Sequence, residues 1–262
     1  MTAAATPPGR PRDVYFFATC VVDQFYPEAG LDAIRLLERE GIKVHFPEDQ
    51  TCCGQPAYSS GFQDEARAVA RRQLELFPQP WPVVVPSGSC AGMMKHHYPT
   101  LFAAEPAAKA KAEALAGRIY EFTDFLVHVL GYEPRDLGAP TTVVLHTSCS
   151  ARREMGVHVT SRALLDKLGN VTVAQQEHEA ECCGFGGTFS VRHPEISAAM
   201  VKDKVAALKA TGAREVVSAD CGCLMNILGH AAWQDEQEGR SQASLPGGHI
   251  ASFLLKRTGG AR

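Results

Sequence analysis

The chain has 262 residues, enough for one large domain or two of ordinary size, and its 45% hydrophobic and 21% charged residues fit an ordinary globular protein. A formal net charge of −3 leaves no basic field for nucleic acid. No stretch has the apolar length that crosses a bilayer, and the first dozen residues lack a secretory core and read as a frayed tail; nine cysteines in such a chain point to a reducing, cytoplasmic setting with metal or redox chemistry, not to a disulfide scaffold.

In chain order, DVYFFAT is a short apolar, β-prone run that delivers Cys20 at its end. Leu31, Ile34 and Leu37 mark a helix that stops at Gly41, IKVHF reads as a strand, and a polar loop carries Cys52, Cys53 and Gly54. A helix is expected from Gln63 to Phe77, then a third strand, PVVVP, with Cys90 just past it. AAKAKAEALAGRIYEFTDFLVHVLG is expected to form two bridging helices. The order then repeats: TTVVLHT delivers Cys149, a helix lies around Ser161–Leu168, and VTVAQ leads into a loop with Cys182, Cys183 and Gly184. A helix from Pro194 to Ala210 begins with the proline that a first turn tolerates, and REVVSA precedes Cys223. QDEQEGRSQASLPGG reads as a loop and HIASFLLKR as a closing helix.

This alternation predicts an α/β fold of two pseudo-repeated Rossmann-like halves, residues 1–130 and 131–262. Each half is a small, mainly parallel sheet flanked by helices, with its cysteines at the carboxyl ends of the strands, where open α/β sheets hold ligands.

The cysteines repeat with the fold. Thirty-one residues separate Cys20 from Cys52 and thirty-two separate Cys149 from Cys182, each time followed by an adjacent cysteine and a glycine. Two sets of four result: Cys20, Cys52, Cys53, Cys90 and Cys149, Cys182, Cys183, Cys223. Neighbouring side chains in an extended strand point to opposite faces, so aiming both sulfurs of a pair at one centre needs a sharp turn, which Gly54 and Gly184 permit. Four soft thiolates suit an iron–sulfur cluster, [4Fe–4S] in one or both halves, or zinc in one half. The paired C-x2-C knuckles usual for structural zinc are absent from both sets. A thiol–disulfide enzyme using the vicinal cysteines directly is a further alternative.

Cys221 stands outside the duplication, opposite Gly88, as a fifth ligand or a spare thiol. His146, three residues before Cys149, reads either as a neighbour that orients a metal site or as a strand-end histidine bonded to backbone. Gly184, Gly186 and Gly187 read either as an anion-binding nest or, by preference, as glycines that let backbone lie close to a cluster and give N–H groups to sulfur. His96 and His97 fall on a helix, and Arg152 and Arg153 read by preference as a solvent-facing pair, or else as charges that offset a thiolate cluster or meet an acidic partner.

ATCVVDQFYPEAG, TCCGQPAYSSGF, PSGSCAGMMKHHYP, HTSCSARREMGV, ECCGFGGTFSVRHPEIS and CGCLMNI resemble the blocks of the cysteine-rich CCG family. That family includes the B subunit of heterodisulfide reductase, the iron–sulfur subunit of glycolate oxidase, and lactate utilization protein A, to whose blocks the chain is most similar. The resemblance runs from about Asp13 to Lys256. It implies an iron–sulfur electron-transfer subunit of an L-lactate oxidation complex delivering pyruvate, with partner iron–sulfur subunits and a small 2-hydroxy acid substrate; a glycolate oxidase-type subunit and a zinc-stabilised scaffold are the alternatives. The fullest family motif ends in C-x-x-C, and Ser87 and Asp220 stand here in place of the first cysteine of that pair, leaving four motif cysteines per half.

Overall fold

The computed structural model describes residues 9–260, so most of the expected N-terminal tail lies outside the described residues. Two four-stranded sheets form, both wholly parallel. The first holds β1 (Asp13–Phe16), β2 (Lys43–His45), β3 (Val83–Val85) and β4 (Ile119–Glu121) in the order β2-β1-β3-β4. The second holds β5 (Thr141–His146), β6 (Val171–Ala174), β7 (Glu215–Ser218) and β8 (Gly247–His249) in the order β6-β5-β7-β8. Each order reverses direction once, between β1 and β3 and between β5 and β7, and a crevice opens at such a reversal beyond the strand ends.

Side chains alternate across each strand. Val14, Phe16 and Val84 join Val143, Leu145 and Val217 in one core shared by both sheets, whereas Tyr15, Phe17, Val83 and Val85 belong to a separate core built chiefly from the first half. Val144 and Val216 likewise turn to the outer layer of the second half. Four helical segments fill the space between the sheets, two from each half. Pro27–Arg39 packs on Ile250–Arg257, and Val157–Asp166 packs on Phe122–Asp124. The helix after each fourth strand thus lies against the other half. Ile250, Leu254, Leu36 and Leu37 are buried together there, as are Phe122, Phe125, Leu164 and Leu165. Burying one such side chain stabilises by roughly 1.5–3 kcal/mol, so the halves are held together chiefly by this layer.

Three expectations are corrected. The expected pair of bridging helices contains a strand: Pro106–Ala116 is helical, but Ile119–Glu121 pairs with β3, and the chain returns to helix at Phe122–Asp124 and continues as the π-helix Phe125–Leu130. The expected loop from Gln234 begins as the end of the helix Cys221–Gln237, and Gly247–His249 pairs with β7. Each sheet therefore has four strands where the sequence showed three. The second-half helix expected around Ser161–Leu168 runs earlier, over Val157–Asp166.

Two buried polar contacts fix the ends of the exchanged layer. Arg257, on the closing helix, meets Asp136 at 2.7 Å, with side chains only 6% and 4% exposed, and also donates to the Ala139 carbonyl at 2.6 Å. His249, fully buried at the end of β8, accepts from the Ala251 N–H at 3.2 Å and donates from Nε2 to the Pro86 carbonyl of the first half at 3.0 Å. Removing one member of a buried ion pair leaves an uncompensated charge. Asp136→Asn is expected to lower unfolding free energy by about 3 kcal/mol in denaturant titration.

The tautomer that makes both His249 contacts is neutral, and burial pushes its pKa down from 6.5 to about 4. Because the folded-state value is the lower one, this contribution is complete above pH 6.5 and is lost as pH falls toward 4, by at most about 3 kcal/mol. Denaturant midpoints measured between pH 7.5 and 4.5 should fall on acidification, with a shallower slope in His249→Asn.

Candidate metal centre

The cysteines occupy the crevices that the strand order creates. Cys20 begins the helix Cys20–Phe25 directly after β1, and Cys90 sits in the helix Gly88–Gly92 directly after β3, one on each side of the reversal. Cys149 and Cys223 hold the corresponding places, in the helices Cys149–Met155 and Cys221–Gln237. The Cys-Cys-Gly loops approach from the strands next door. Gln50 clips the first loop to β1, its amide donating to the Phe16 carbonyl at 2.8 Å while its oxygen accepts from the Ala18 N–H at 3.0 Å. Gln176 reproduces the clip by donating to the Leu145 carbonyl at 2.6 Å.

Gly54 and Gly184 have φ of 88° and 85°, the left-handed conformation that turns each cysteine pair inward. Their N–H groups point at the first cysteine of each pair, 3.4 Å from Cys52 Sγ and 3.3 Å from Cys182 Sγ. The second cysteine is held by its carbonyl: Tyr98 Oη donates to Cys53 O at 2.9 Å and Asn226 Nδ2 to Cys183 O at 2.8 Å. Neither was singled out as a site residue in the sequence, although both fall within the family-like blocks PSGSCAGMMKHHYP and CGCLMNI.

Within each half the four thiols form one hydrogen-bonded chain, Cys20–Cys52–Cys53–Cys90 and Cys149–Cys182–Cys183–Cys223. The second thiol of each chain carries the negative charge. Cys52 is pushed down to about 3 by the hydrogen bonds from Cys20 and then Cys53, and Cys182 down to about 2 by those from Cys149 and then Cys183, with the glycine N–H assisting in both. Their donors move the other way: Cys20 and Cys149 are raised by giving those bonds, then by burial.

Both chains open on the same space. All nine cysteines line a single cavity of about 200 Å³ between the halves. The halves meet there with approximate two-fold symmetry, Gly88–Gly92 packing on Cys149–Met155 and Cys20–Phe25 on Cys221–Gln237. That contact explains why Cys221 has no partner in the first half. A side chain at Gly88 would run into Ala151 and come within 2.8 Å of Val157 Cγ2, whereas Cys221 is accommodated, buried beside Val22 and Ala29. The two positions where the family motif has a further cysteine also meet. Ser87 Oγ donates to Asp220 Oδ2 at 3.3 Å and the Ser89 N–H to the same oxygen at 3.2 Å, and burial raises the Asp220 carboxyl.

Of the remaining sequence candidates, His146 is fully buried, and neither ring nitrogen has a hydrogen-bond partner, so the backbone-bonded reading does not hold. Burial, then the positive charge of Lys204, pushes its pKa down to about 3. Lys204 is itself buried, donating to the His178 carbonyl at 2.6 Å, and was not anticipated. Arg152 is not a plain solvent-facing residue, since it pairs with Glu179 at 2.7 Å. His96 is exposed and bonds the Glu154 carbonyl, and His97 lies 3.4 Å from the Glu154 carboxylate. Gly187 lies at the junction of the halves, where an added Cβ would come within 3.4 Å of Pro56.

A duplicated parallel α/β fold with four linked thiols at each strand-order reversal defines a cysteine-rich domain protein, and the profile of the CCG family, "Cysteine-rich domain", matches residues 14–95 and 143–228. Named relatives extend over most of the chain. It is 48% identical over 219 residues to lactate utilization protein A 1 of Bacillus mycoides, covering 82% of this chain and 88% of that one. It is 44% identical over 246 residues to lactate utilization protein A of Bacillus subtilis, covering 93% and 99%. The chain belongs to the lactate utilization protein A family of CCG cysteine-rich proteins. A hypothetical protein from Helicobacter pylori shares the fold, with a TM-score of 0.69 at 11% identity; it aligns with all of this chain and 52% of its own. No helix among the described residues is long and apolar enough to cross a membrane.

The charge distribution along each chain of thiols has a direct consequence. In reduced, metal-free protein, iodoacetamide at pH 5.5 should modify Cys52 and Cys182 first, because these carry thiolate at that pH. Peptide mass spectrometry checks this; preferential labelling of Cys20 and Cys149 would contradict the assignment.

Proposed function

We propose that this chain is a cytoplasmic iron–sulfur electron-transfer subunit of a lactate-oxidising system. Cys20, Cys52, Cys53 and Cys90 would hold one metal centre, and Cys149, Cys182, Cys183 and Cys223 another. The observation that carries the reading is the pair of four-thiol chains on one cavity, in a family whose named members are lactate utilization proteins. Four soft donors with N–H groups directed at sulfur fit a [4Fe–4S]-type cluster, and such a cluster supplies one-electron transfer.

The protein's part is to hold the thiolates and set their electrostatics. The Gly54 and Gly184 N–H groups stabilise charge on Cys52 and Cys182. Oxidation of a 2-hydroxy acid to a 2-oxo acid releases two electrons, which two one-electron centres in one cavity could pass on in sequence. The chain would act as a subunit of a non-NAD-dependent, lactate dehydrogenase-type oxidoreductase with partner iron–sulfur subunits. A second reading, zinc in the second half, is favoured by one observation: a His146 nitrogen lies among the Cys183 and Cys223 sulfurs, and mixed nitrogen and sulfur donors suit zinc.

Anaerobic isolation with iron, sulfide and zinc counts tests both readings. Cys53→Ser and Cys183→Ser should each remove about half of the bound iron and sulfide. Folded protein holding neither iron nor sulfide after reconstitution would overturn the electron-transfer reading, and stoichiometric zinc confined to the second half would establish the alternative there.

A further inference from the structure

We propose that His146 is a metal ligand in its own right, so that the second half holds its metal with nitrogen as well as sulfur while the first half holds it with sulfur alone. This rests on the metal-centre reading above and revises its ligand set: one four-coordinate ion would be held by His146, Cys183, Cys223 and one further thiol of the same half. His146, Cys183 and Cys223 are all buried, and one donor atom from each lies within 4.8 Å of the others. Ligands around one tetrahedral ion sit about 3.6 Å apart, from bond lengths of about 2.0–2.3 Å, so a contraction of at most about 1.2 Å closes this group on an ion.

Two further observations separate ligation from a bland buried histidine. Neither Nδ1 nor Nε2 makes a hydrogen bond, to sulfur or to anything else. Most buried polar atoms find a partner, and an orphaned one is destabilising. A second role, as an N–H donor that merely tunes a sulfur, requires a hydrogen bond that is not there. A metal ion satisfies a nitrogen directly, and neutral imidazole is a common metal ligand.

The second observation is the comparison between the halves. The residue three before Cys20 is Phe17, also fully buried, which packs against Phe77, Val83 and Val85. The same place in the fold therefore accepts a purely apolar ring. A histidine there is not required for packing, and it appears only beside the second thiol set. The helix behind it differs too, with the buried cation Lys204 on Pro194–Ala210 and the buried amide Gln73 on Gln63–Leu74.

The test uses the full chain, reduced and metal-free, titrated with cobalt(II) alone under anaerobic conditions. Wild-type protein should bind with intense thiolate-to-cobalt absorption and, by pulsed EPR after ¹⁵N-histidine labelling, a strongly coupled nitrogen. His146→Phe, which installs the ring that the first half already carries, should lose that coupling, shift the visible cobalt bands toward all-sulfur ligation, and weaken binding at one of the two sites by tenfold or more. The wild-type nitrogen measurement stands even if the variant folds poorly. Thiolate bands with no coupled nitrogen, or unchanged spectra and affinity in His146→Phe, would overturn the His146 assignment and leave the thiol sites standing. Absence of thiolate bands from wild-type protein would overturn the metal centre and this ligand with it.

Discussion

The reversal of strand order in each sheet is the constraint on which the site depends. In the order β2-β1-β3-β4, the connections from β1 and β3 leave in opposite directions, so their helices part and a crevice opens between them. Cys20 and Cys90 stand on its two sides, and the Cys-Cys-Gly loop closes the third. The second sheet repeats the arrangement. Exchange of the helices after β4 and β8 then fixes the two sheets on one core and sets the two crevices face to face. One cavity lined by nine cysteines follows from two sheets each with one reversal.

The symmetry is broken at particular residues, each with a physical reason. Gly88 has no room for a side chain against Ala151 and Val157, whereas Cys221 has room for one. Ser87 and Asp220 bond one another across the junction, so the two departures from the fuller family motif form a single polar contact. Phe17 and His146 occupy matching strand ends, one apolar and one carrying two unpartnered nitrogens. A duplicated chain with equivalent thiol sets has thereby acquired two chemically different environments.

Much of this was legible in the sequence because it is local. Repeated spacing gave the two thiol sets, alternation of strand and helix gave the parallel sheets, and the glycine after each cysteine pair implied the turn seen at Gly54 and Gly184. The fourth strands were not legible. Ile119–Glu121 and Gly247–His249 are three residues each, set in segments that read as helix and loop, and they are strands only because β3 and β7 offer them an edge. The shared cavity was also hidden: the strand-end rule places four cysteines at each sheet, and only the exchanged helices bring the sheets' edges together. For His146 the sequence left two roles open, and burial without a partner decided against the backbone-bonded one.

EPR of the reduced, reconstituted protein tests the proposed pair of centres in the shared cavity most directly, because two paramagnetic clusters held by the two thiol sets would interact magnetically across one small space. The account predicts that the wild-type spectrum is broadened or split by spin–spin interaction, and that Cys53→Ser and Cys183→Ser each give a simple spectrum of one isolated centre. A wild-type spectrum equal to the sum of the two variant spectra would contradict it.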